Sequence, residues 1–522
     1  MVRIRTGSHR WDDFPQRVAG FLAADLSRFP YDGETVRGYR SPDTKPIWIR
    51  DQTYQLQFAR YVDAAADLWS PYEFFLRRQR PDNSFWEWVS PERPLKRIGV
   101  EADVEYLMVL GVEQVWQATG DDARMAQWLP VLESGLRYSM SHPDRWSPEH
   151  GLIKRAFTID TWDFEYLGLE NRNQPIRTSL GPHTRFGIMH GDNSGLYAAA
   201  CALSRMNALL GRAESARRWT QTAEDVRERM NRLCWNGRYY RHFVHIDPCE
   251  VPDVDEEAIL SLSNTFDITR GAASDKQALS ILDEYARRGR ELDPRPFAPW
   301  FTIQPCFPEG AFGNLGHVMG ACQYINGGLM AFVGGELALG ALERGRERFG
   351  VEQLRIYVDK ISRSGQAYFC YRYDGEPDLY RNTMVPTDGW GSSAMAHALV
   401  RGLSGVQDAA TLFRRVRLSP RWPADDEREA EVEVSYAHPD AHVRYRETVD
   451  PANGVLELDI CCGATTASIQ CHILLPQGVT PTSVAVNGQD TDFGCSRISE
   501  CNYVDVTITG CNADVRVQFR PT

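Results

Sequence analysis

The hydrophobic pattern of the chain changes its period once, and this change limits the fold more than any other feature of the sequence. Over residues 11–403, apolar residues recur every three to four positions, which is typical of amphipathic helices. After Pro423 the pattern alternates with period two, as at residues 431–436, which is typical of strands that bury one face. The sequence therefore predicts a helical domain over residues 1–422 and a small antiparallel β-sandwich domain over residues 423–522.

The predicted helices are of two kinds that alternate along the chain. Residues 195–203 are small or apolar on nearly every side, whereas residues 216–230 carry many charges. A helix of the first kind is typically buried, and a helix of the second kind exposes one face to solvent. Repeated pairs of this type, joined by loops with turn glycines, predict a mainly α fold. We expect a closed toroid, in which inner helices surround a central cavity.

The composition of the chain excludes several functional classes. Its 522 residues are 43% hydrophobic and 25% charged, which excludes disorder, and a net charge of −12 disfavours non-specific binding to nucleic acid. No apolar run reaches the length of a transmembrane helix, and the N-terminus lacks the apolar region of a signal peptide. We therefore expect a cytoplasmic protein with no nucleic-acid or membrane partner. Its oligomeric state stays open, a homo-oligomer included.

The number and spacing of cysteines and histidines do not indicate a metal or redox site. None of the 12 cysteines forms a CxxC pair, so a zinc site is not indicated. We interpret the six cysteines of the last 62 residues as reduced thiols, with a disulfide network in that tail as the alternative. The 12 histidines are scattered, and phosphate-loop and dinucleotide-binding motifs are absent. The sequence thus predicts no metal and no cofactor.

Aromatic and acidic residues gather at the junctions that precede the predicted inner helices. All 14 tryptophans lie at or before Trp422. We therefore interpret the last hundred residues as a supporting domain. Sugars stack their C–H faces on aromatic rings and pair their hydroxyls with polar side chains, so these junctions suit a saccharide. A single motif of this kind can also be a simple helix cap. The predicted substrate-binding residues are Trp48, Arg50, Asp51, Trp86, Glu101, Asp103, Trp162, Glu165, His190, Asp192, Asn193, Asn326, Tyr371, Asp388 and Trp390.

Asp163 is the first candidate for a catalytic acid. Cleavage of a glycosidic bond needs one carboxylic acid to protonate the leaving oxygen and a second carboxylate to activate water or to act as nucleophile. Asp163 lies between Trp162 and Phe164, and apolar neighbours raise the pKa of a carboxyl group so that it stays protonated. An Asp that only caps a turn is the alternative.

Several motifs resemble the (α/α)6-toroid glycosidases, in particular the neutral invertases, trehalases and processing α-glucosidases. This resemblance implies that the toroid is an (α/α)6 toroid of the six-hairpin type. Ile47-Trp-Ile-Arg-Asp51 is similar to an invertase sugar-site segment, and Tyr324-Ile-Asn-Gly-Gly328 resembles the invertase Tyr-His-Asn-Gly-Gly. Thr161-Trp-Asp163 looks like the trehalase Gly-Trp-Asp, and this resemblance implies that Asp163 is the general acid. The segment from Leu403 to Pro420 resembles the exit of rhamnosidase-like toroids into a β domain.

The chain departs from these families at the second carboxylate. Where the families place a Glu before an aromatic turn, this chain has Tyr371, and a phenol is a poor base at neutral pH. Glu376 or Asp374 serves instead if the alignment shifts by a few residues. Asp388 or Glu101 is another source of a carboxylate.

Three functions remain open on these grounds. The favoured one is a glycoside hydrolase acting on a small neutral saccharide or glycoside. The second is a toroid-type lyase or another sugar-converting enzyme that uses Tyr371 and His190. The third is a sugar-binding protein without catalysis.

Overall fold

The computed structural model describes residues 1–42, 44–380, 384–499 and 501–521. Within these ranges a short helix, α1 (His9–Asp12), is followed by twelve helices of two kinds. Six have one face exposed to solvent and lie outside: α2 (Phe14–Asp25), α4 (Ala65–Leu76), α6 (Asp122–Ser139), α8 (Ala213–Cys234), α10 (Asp275–Glu291) and α12 (Glu347–Ser364). Six are mostly buried: α3 (Ile49–Ala59), α5 (Val104–Thr119), α7 (His190–Leu209), α9 (Ser263–Thr269), α11 (Ala331–Glu343) and α13 (Gly389–His397), the last extended by a π-helical turn (Ala398–Leu403).

The buried helices contact one another in a closed cycle. Each of them contacts the next one along the chain, and α13 returns to contact α3. Glycines permit this close approach: a Cβ atom on Gly195 would lie 2.4 Å from the ring of Tyr106, and one on Gly335 would lie 2.5 Å from the backbone of Ala394. The predicted alternation of inner and outer helices is therefore present in the structure.

Two β-sheets make up the second part of the molecule. One contains β1 (Val2–Arg5), β16 (Glu429–Ser435), β17 (His442–Asp450), β18 (Val455–Cys462), β24 (Asn512–Pro521), β20 (Val479–Val486) and β21 (Gln489–Asp490), in that spatial order and all antiparallel. The other contains β14 (Val406–Asp408), β15 (Arg415–Leu418), β19 (Ser468–Leu474), β23 (Cys501–Thr509) and β22 (Gly494–Ile498), and here β15 and β19 run parallel.

Both sheets use residues outside the predicted range 423–522. Strand β1 pairs with β16 in the register Val2 opposite Val434, and β14 and β15 precede the predicted boundary. The first strand has only four residues, too few for a period-two signal to stand out in the sequence. The N-terminus is thus held against the C-terminal part of the chain.

Short strands stand where the inner helices begin. Strand β4 (Ile47–Trp48) leads directly into α3 and pairs with β5 (Trp88–Ser90), which pairs with β6 (Arg93–Lys96). The remaining ones are β2 (Leu26–Tyr31), β3 (Glu34–Tyr39), β7 (Trp146–Ser147), β8 (Leu152–Ile153), β9 (Arg155–Ala156), β10 (Phe186–Ile188), β11 (Val244–His245), β12 (Leu260–Ser261) and β13 (Ile303–Gln304). These pairings fix the loops at one end of the helical ring.

The cysteines of the tail differ from two cysteines of the helical part. Among the described residues, the six cysteines after residue 460 form no disulfide. Cys306 and Cys322 form a disulfide that closes the loop before α11, a bond that their spacing of 16 residues did not indicate. Among the residues described, no helix combines the length and the apolarity that crossing a membrane requires.

Glu447 is a charged residue at one of the regular core-facing positions of β17, where it is 1% exposed. Within the described residues neither carboxylate oxygen has a hydrogen-bond partner, and burial raises the pKa of Glu447 to about 8. In the unfolded chain the same group titrates near 4.5. Between these two pH values folding takes up a proton, so the stability of the protein falls as the pH rises.

We therefore expect Glu447→Gln to raise the free energy of unfolding by about 3 kcal/mol at pH 7, with little effect below pH 4.5. Thermal unfolding of both proteins between pH 4.5 and 8 measures the difference. The matched control is Glu457→Gln, on the exposed face of the neighbouring strand β18, which should leave the pH dependence unchanged. An equal pH dependence in Glu447→Gln and the wild type would contradict this assignment.

Candidate active site

The turn that carries Asp163 is held by three buried side chains. The Thr158 hydroxyl donates to the carbonyl of Asp160 at 2.5 Å. Arg50 Nη2 donates to the carbonyl of Thr161 at 2.9 Å, and Arg155 Nη2 donates to the carbonyl of Trp162 at 2.6 Å. Three successive carbonyls thus accept hydrogen bonds from fixed donors, and the half-buried Asp163 follows directly. Such anchoring fixes the backbone from which the side chain of Asp163 extends.

Asp160 sets the conformation of this turn. Its φ of 46° lies in the left-handed region, which a non-glycine residue adopts only when its surroundings enforce it. Its N–H donates to His242 Nε2 at 2.8 Å, and its carboxylate accepts from the N–H and hydroxyl of Ser263 at the start of α9. Burial lowers the pKa of His242 to about 4, so the ring is neutral at pH 7 and Nε2 accepts.

A buried arginine beside the turn is surrounded by carboxylates. Arg50 Nη2 lies 2.7 Å from Glu101 Oε2 and 2.7 Å from Asp103 Oδ2. The charges of Asp103, Glu101, Glu87 and Asp163 all raise the pKa of Arg50 against the opposing effect of its burial. Asp163 is therefore close enough to share the field of this cluster.

Two carboxyl groups of the cluster interact with each other. Burial raises the pKa of both Glu87 and Glu101, and the charge of Glu87 raises the pKa of Glu101 further. Burial and the nearby like charge both disfavour ionisation of Glu101. Glu87 was not among the site residues predicted from the sequence, because the neighbouring residues Trp86 and Trp88 were the ones that suggested a sugar site. Its Oε2 accepts from the N–H of Ile98 at 2.7 Å.

Aromatic rings form the wall next to Asp163. Trp162 donates from Nε1 to the hydroxyl of Tyr324 at 2.8 Å. The Trp162 and Trp390 rings are parallel to within 7° with centroids 6.3 Å apart, and Trp390 stacks on Phe332 at 4.3 Å and on Tyr54 at 4.8 Å. Rings of this kind offer flat faces to the C–H groups of a sugar.

Two adjoining cavities open at this end of the ring. The larger, about 720 Å³, is lined by Trp48, Trp88 and Tyr380 among others. The second, about 430 Å³, is lined by Asp378 and shares His317 and Tyr380 with the first. Tyr380 packs on Tyr324, with ring centroids 3.9 Å apart, so the cavities lie next to the aromatic wall.

Asp378 is the acidic side chain that these cavities add to the site. It is 7% exposed, and its Oδ2 accepts from the N–H of Tyr324 at 2.8 Å. Within the described residues Oδ1 has no hydrogen bond, and it is not among the atoms closed off from solvent. One oxygen is thus fixed while the other faces the cavity. No motif in the sequence marked this residue.

Six other predicted site residues lie at the same end of the ring as Asp163. They are Trp48, Arg50, Glu101, Asp103, Trp162 and Trp390. Asp51 is buried in the first turn of α3, and Trp86 is half-buried beneath Arg80.

Other predicted binding residues support the fold instead. His190 is fully buried between Asp267 and Ser261, and Asn193 and Asn326 bind backbone groups of Ile153 and Phe307. Polar residues at helix starts perform both roles in proteins, so the sequence could not separate them. Asp192 pairs with Arg155, Glu165 pairs with Arg177, and Asp388 caps α13 through the N–H of Gly391.

The segment before α13 places its residues differently from the sequence analysis. Tyr371 is 1% exposed, and its hydroxyl accepts from the N–H of Tyr368. Burial raises the pKa of the Tyr371 phenol above its usual value. The group therefore stays protonated at neutral pH, which opposes a role as base. Asp374 and Glu376 are exposed on a turn whose Gly375 carbonyl binds Lys360 of the outer helix α12. Neither lines the two cavities.

No known protein-family model matches the chain, and no curated protein matches its sequence. Solved structures do match its fold. The α-L-rhamnosidase of Dictyoglumus thermophilum superposes with a TM-score of 0.62 at 10% identity, over 99% of this chain and 50% of that one. The α-L-rhamnosidase of Streptomyces avermitilis, complexed with L-rhamnose, gives 0.60 at 13% identity, over 99% and 42%.

A third solved structure covers only part of this chain. A GH63 mannosylglycerate hydrolase of Thermus thermophilus, in complex with glucose, gives a TM-score of 0.51 at 15% identity, over 74% of this chain and 100% of that one. These neighbours are (α/α)-toroid glycoside hydrolases. This chain spans about half the length of the rhamnosidases. At such identities the likeness concerns the fold.

Proposed function

We propose that this protein is a glycoside hydrolase built on an (α/α)6 toroid, with Asp163 as the general acid. The observation that carries the proposal is the anchored turn: Thr158, Arg50 and Arg155 fix the three carbonyls before Asp163. A carboxyl group held between an aromatic wall and a buried carboxylate cluster suits protonation of a leaving oxygen. The fold shared with rhamnosidases and a mannosylglycerate hydrolase supports the same reaction class.

The positions of Tyr371 and His190 do not favour the lyase alternative. A lyase base has to reach a C–H proton of the substrate, but Tyr371 and His190 are both buried and engaged with protein groups. The raised pKa of Tyr371 also keeps its phenol protonated.

Asp378 is our candidate for the second carboxylate. It lies on the same segment as the predicted residues Asp374 and Glu376, but it is buried and faces the mouth of the ring, whereas those two face outward. Its Oδ1 can accept a proton from water, since within the described residues that atom makes no hydrogen bond. A pair formed by Asp163 and Asp378 restores the two-carboxylate chemistry that Tyr371 does not provide.

The substrate class we propose is a small neutral saccharide or glycoside. The mouth cavities have the size of small-ligand sites, at 720 and 430 Å³, and tryptophan and tyrosine rings line them. Rhamnosides and mannosyl or glucosyl glycosides are the first to test, because the proteins that share this fold act on or bind such sugars.

Replacing the second carboxylate tests this assignment. Asp378→Asn should lower turnover of a hydrolysed glycoside by about 10²–10⁴-fold, because the amide cannot take a proton from water. Glu376→Gln is the matched control: it removes a carboxylate two residues away on the exposed turn and should retain wild-type turnover. Full activity in Asp378→Asn, or a large loss in Glu376→Gln, would contradict the choice of Asp378.

A further inference from the structure

A third cavity, of about 680 Å³, lies on the axis of the helical ring at the end away from Asp163. Arg50 at the start of α3 binds the Asp163 turn, whereas Arg60, just after the end of α3, lines this cavity. Ten residues of helix separate the two by roughly 15 Å. Arg417 and His472 of the five-stranded sheet close the cavity on the other side.

The lining of this cavity has an excess of positive charge. Seven arginines and four carboxylates border it. Two of the arginines are neutralised by two-pronged ion pairs, Arg205 with Glu113 and Arg401 with Glu343. Within the described residues, four arginines have no carboxylate within ion-pair distance; these are Arg60, Arg270, Arg417 and Arg421.

The remaining carboxylates of the lining, Asp408 and Glu336, offset these charges only in part. Asp408 uses its two oxygens to accept from the N–H groups of Ala410 and Phe413, at 2.9 and 3.0 Å. Glu336 accepts from Gln57 and Thr269, and burial raises its pKa. Neither forms an ion pair with the four arginines. The cavity therefore concentrates positive potential in a protein whose net charge is −12.

A histidine in the same lining is also affected by this excess of positive charge. His397 is 7% exposed, and its Nδ1 has no hydrogen-bond partner in the described part of the chain. Burial, together with the charges of Arg60 and Arg401, lowers the pKa of His397 well below its usual range. A buried polar atom without a partner costs free energy, and a bound anion among these cations would relieve the repulsion.

The cavity can be reached without passing Asp163. It shares Arg417, Ser419 and His472 with a groove of about 700 Å³ along the five-stranded sheet. Arg417 is exposed where the two meet. A ligand can thus enter between the helices and the sheets.

We propose that this cavity binds a small phosphorylated anion, of the size of a sugar phosphate. Its volume is within the range of small-ligand sites, and the arginine fork matches the geometry of phosphate oxygens. The site is separate from the proposed catalytic centre, so its existence does not depend on the proposed function.

Isothermal titration of the full-length protein with inorganic phosphate and with glucose 6-phosphate tests this site. We expect saturable binding of phosphate with one ligand per chain and at least tenfold weaker binding in Arg417→Gln, whereas any binding of glucose at the Asp163 site should not change in that variant. Arg520→Gln, an equally exposed arginine on β24 outside both cavities, is the matched control and should bind like the wild type. Arg60→Gln provides a second variant if Arg417→Gln does not fold.

The outcomes separate the two proposals. Tighter binding of glucose 6-phosphate than of phosphate identifies a phosphorylated sugar as the ligand, and equal binding identifies the free anion; both support the site. Asp163→Asn should bind phosphate normally even though it loses turnover. The absence of binding at millimolar phosphate, or equal binding by Arg417→Gln and wild type, would overturn the proposal.

Discussion

Asp163→Asn is expected to lower kcat by about 10²–10⁴-fold, and sugar binding should change little. The amide has the size of the carboxyl group and can keep its contacts, but it cannot donate a proton to the leaving oxygen. The anchored carbonyls of Thr161 and Trp162 hold the turn independently of the side chain at position 163, so the fold should survive. Initial rates and a sugar titration on the same preparation measure both effects.

The nature of the leaving group distinguishes an acid from a residue that only shapes the site. A glycoside with an acidic phenol as leaving group needs little protonation, so Asp163→Asn should retain much more activity on it than on an alkyl glycoside. Asp374→Asn, on the exposed turn, is the control and should behave like the wild type on both. An equal loss on the two substrates would argue that Asp163 is not the acid.

Arg155→Met is expected to have the largest effect on stability, a loss of about 3–5 kcal/mol. Arg155 is 0% exposed; it pairs with the equally buried Asp192 at 3.2 Å and holds the carbonyl of Trp162. Removing the guanidinium leaves the carboxylate of Asp192 buried without a counter-charge. The midpoint of thermal or urea unfolding measures the loss.

Two further variants identify the cause of that loss. Asp192→Asn added to Arg155→Met should recover part of the stability, because it removes the unpaired charge. Arg218→Met breaks a pair with Glu214 in which the two side chains are 62% and 77% exposed, and it should cost about 1 kcal/mol or less. If Arg155→Met costs no more than Arg218→Met, the buried pair does not have the role assigned to it.

The periodicity of the sequence was sufficient to predict a helical part followed by a part made of strands. Alternating inner and outer helices followed by strands are present, because a helix surrounded by protein needs apolar residues on every side, and this pattern is visible locally. The added strand β1 was not predictable in the same way. Its pairing partner β16 lies more than four hundred residues away, and its own four residues are ambiguous.

Residues of the candidate site were predictable only where several aromatic and charged residues stand together in one motif. Thr161-Trp-Asp163 and Ile47-Trp-Ile-Arg-Asp51 marked Asp163 and Arg50, and the structure brings the two side by side. Asp378 and Glu87 become site residues only through distant contacts, with Tyr324 and with Glu101. The cationic cavity combines residues of inner helices and sheets and leaves no local signal at all.

Proton NMR of reaction mixtures tests the central proposal most directly. The wild-type protein is incubated with a panel of aryl glycosides and disaccharides, rhamnosides and mannosides included, and the anomeric signals are followed from the first minutes. The account predicts release of a free sugar with a defined initial anomer by the wild type and almost none by Asp163→Asn. Absence of product from every glycoside, or a product with a new carbon–carbon double bond, would contradict it.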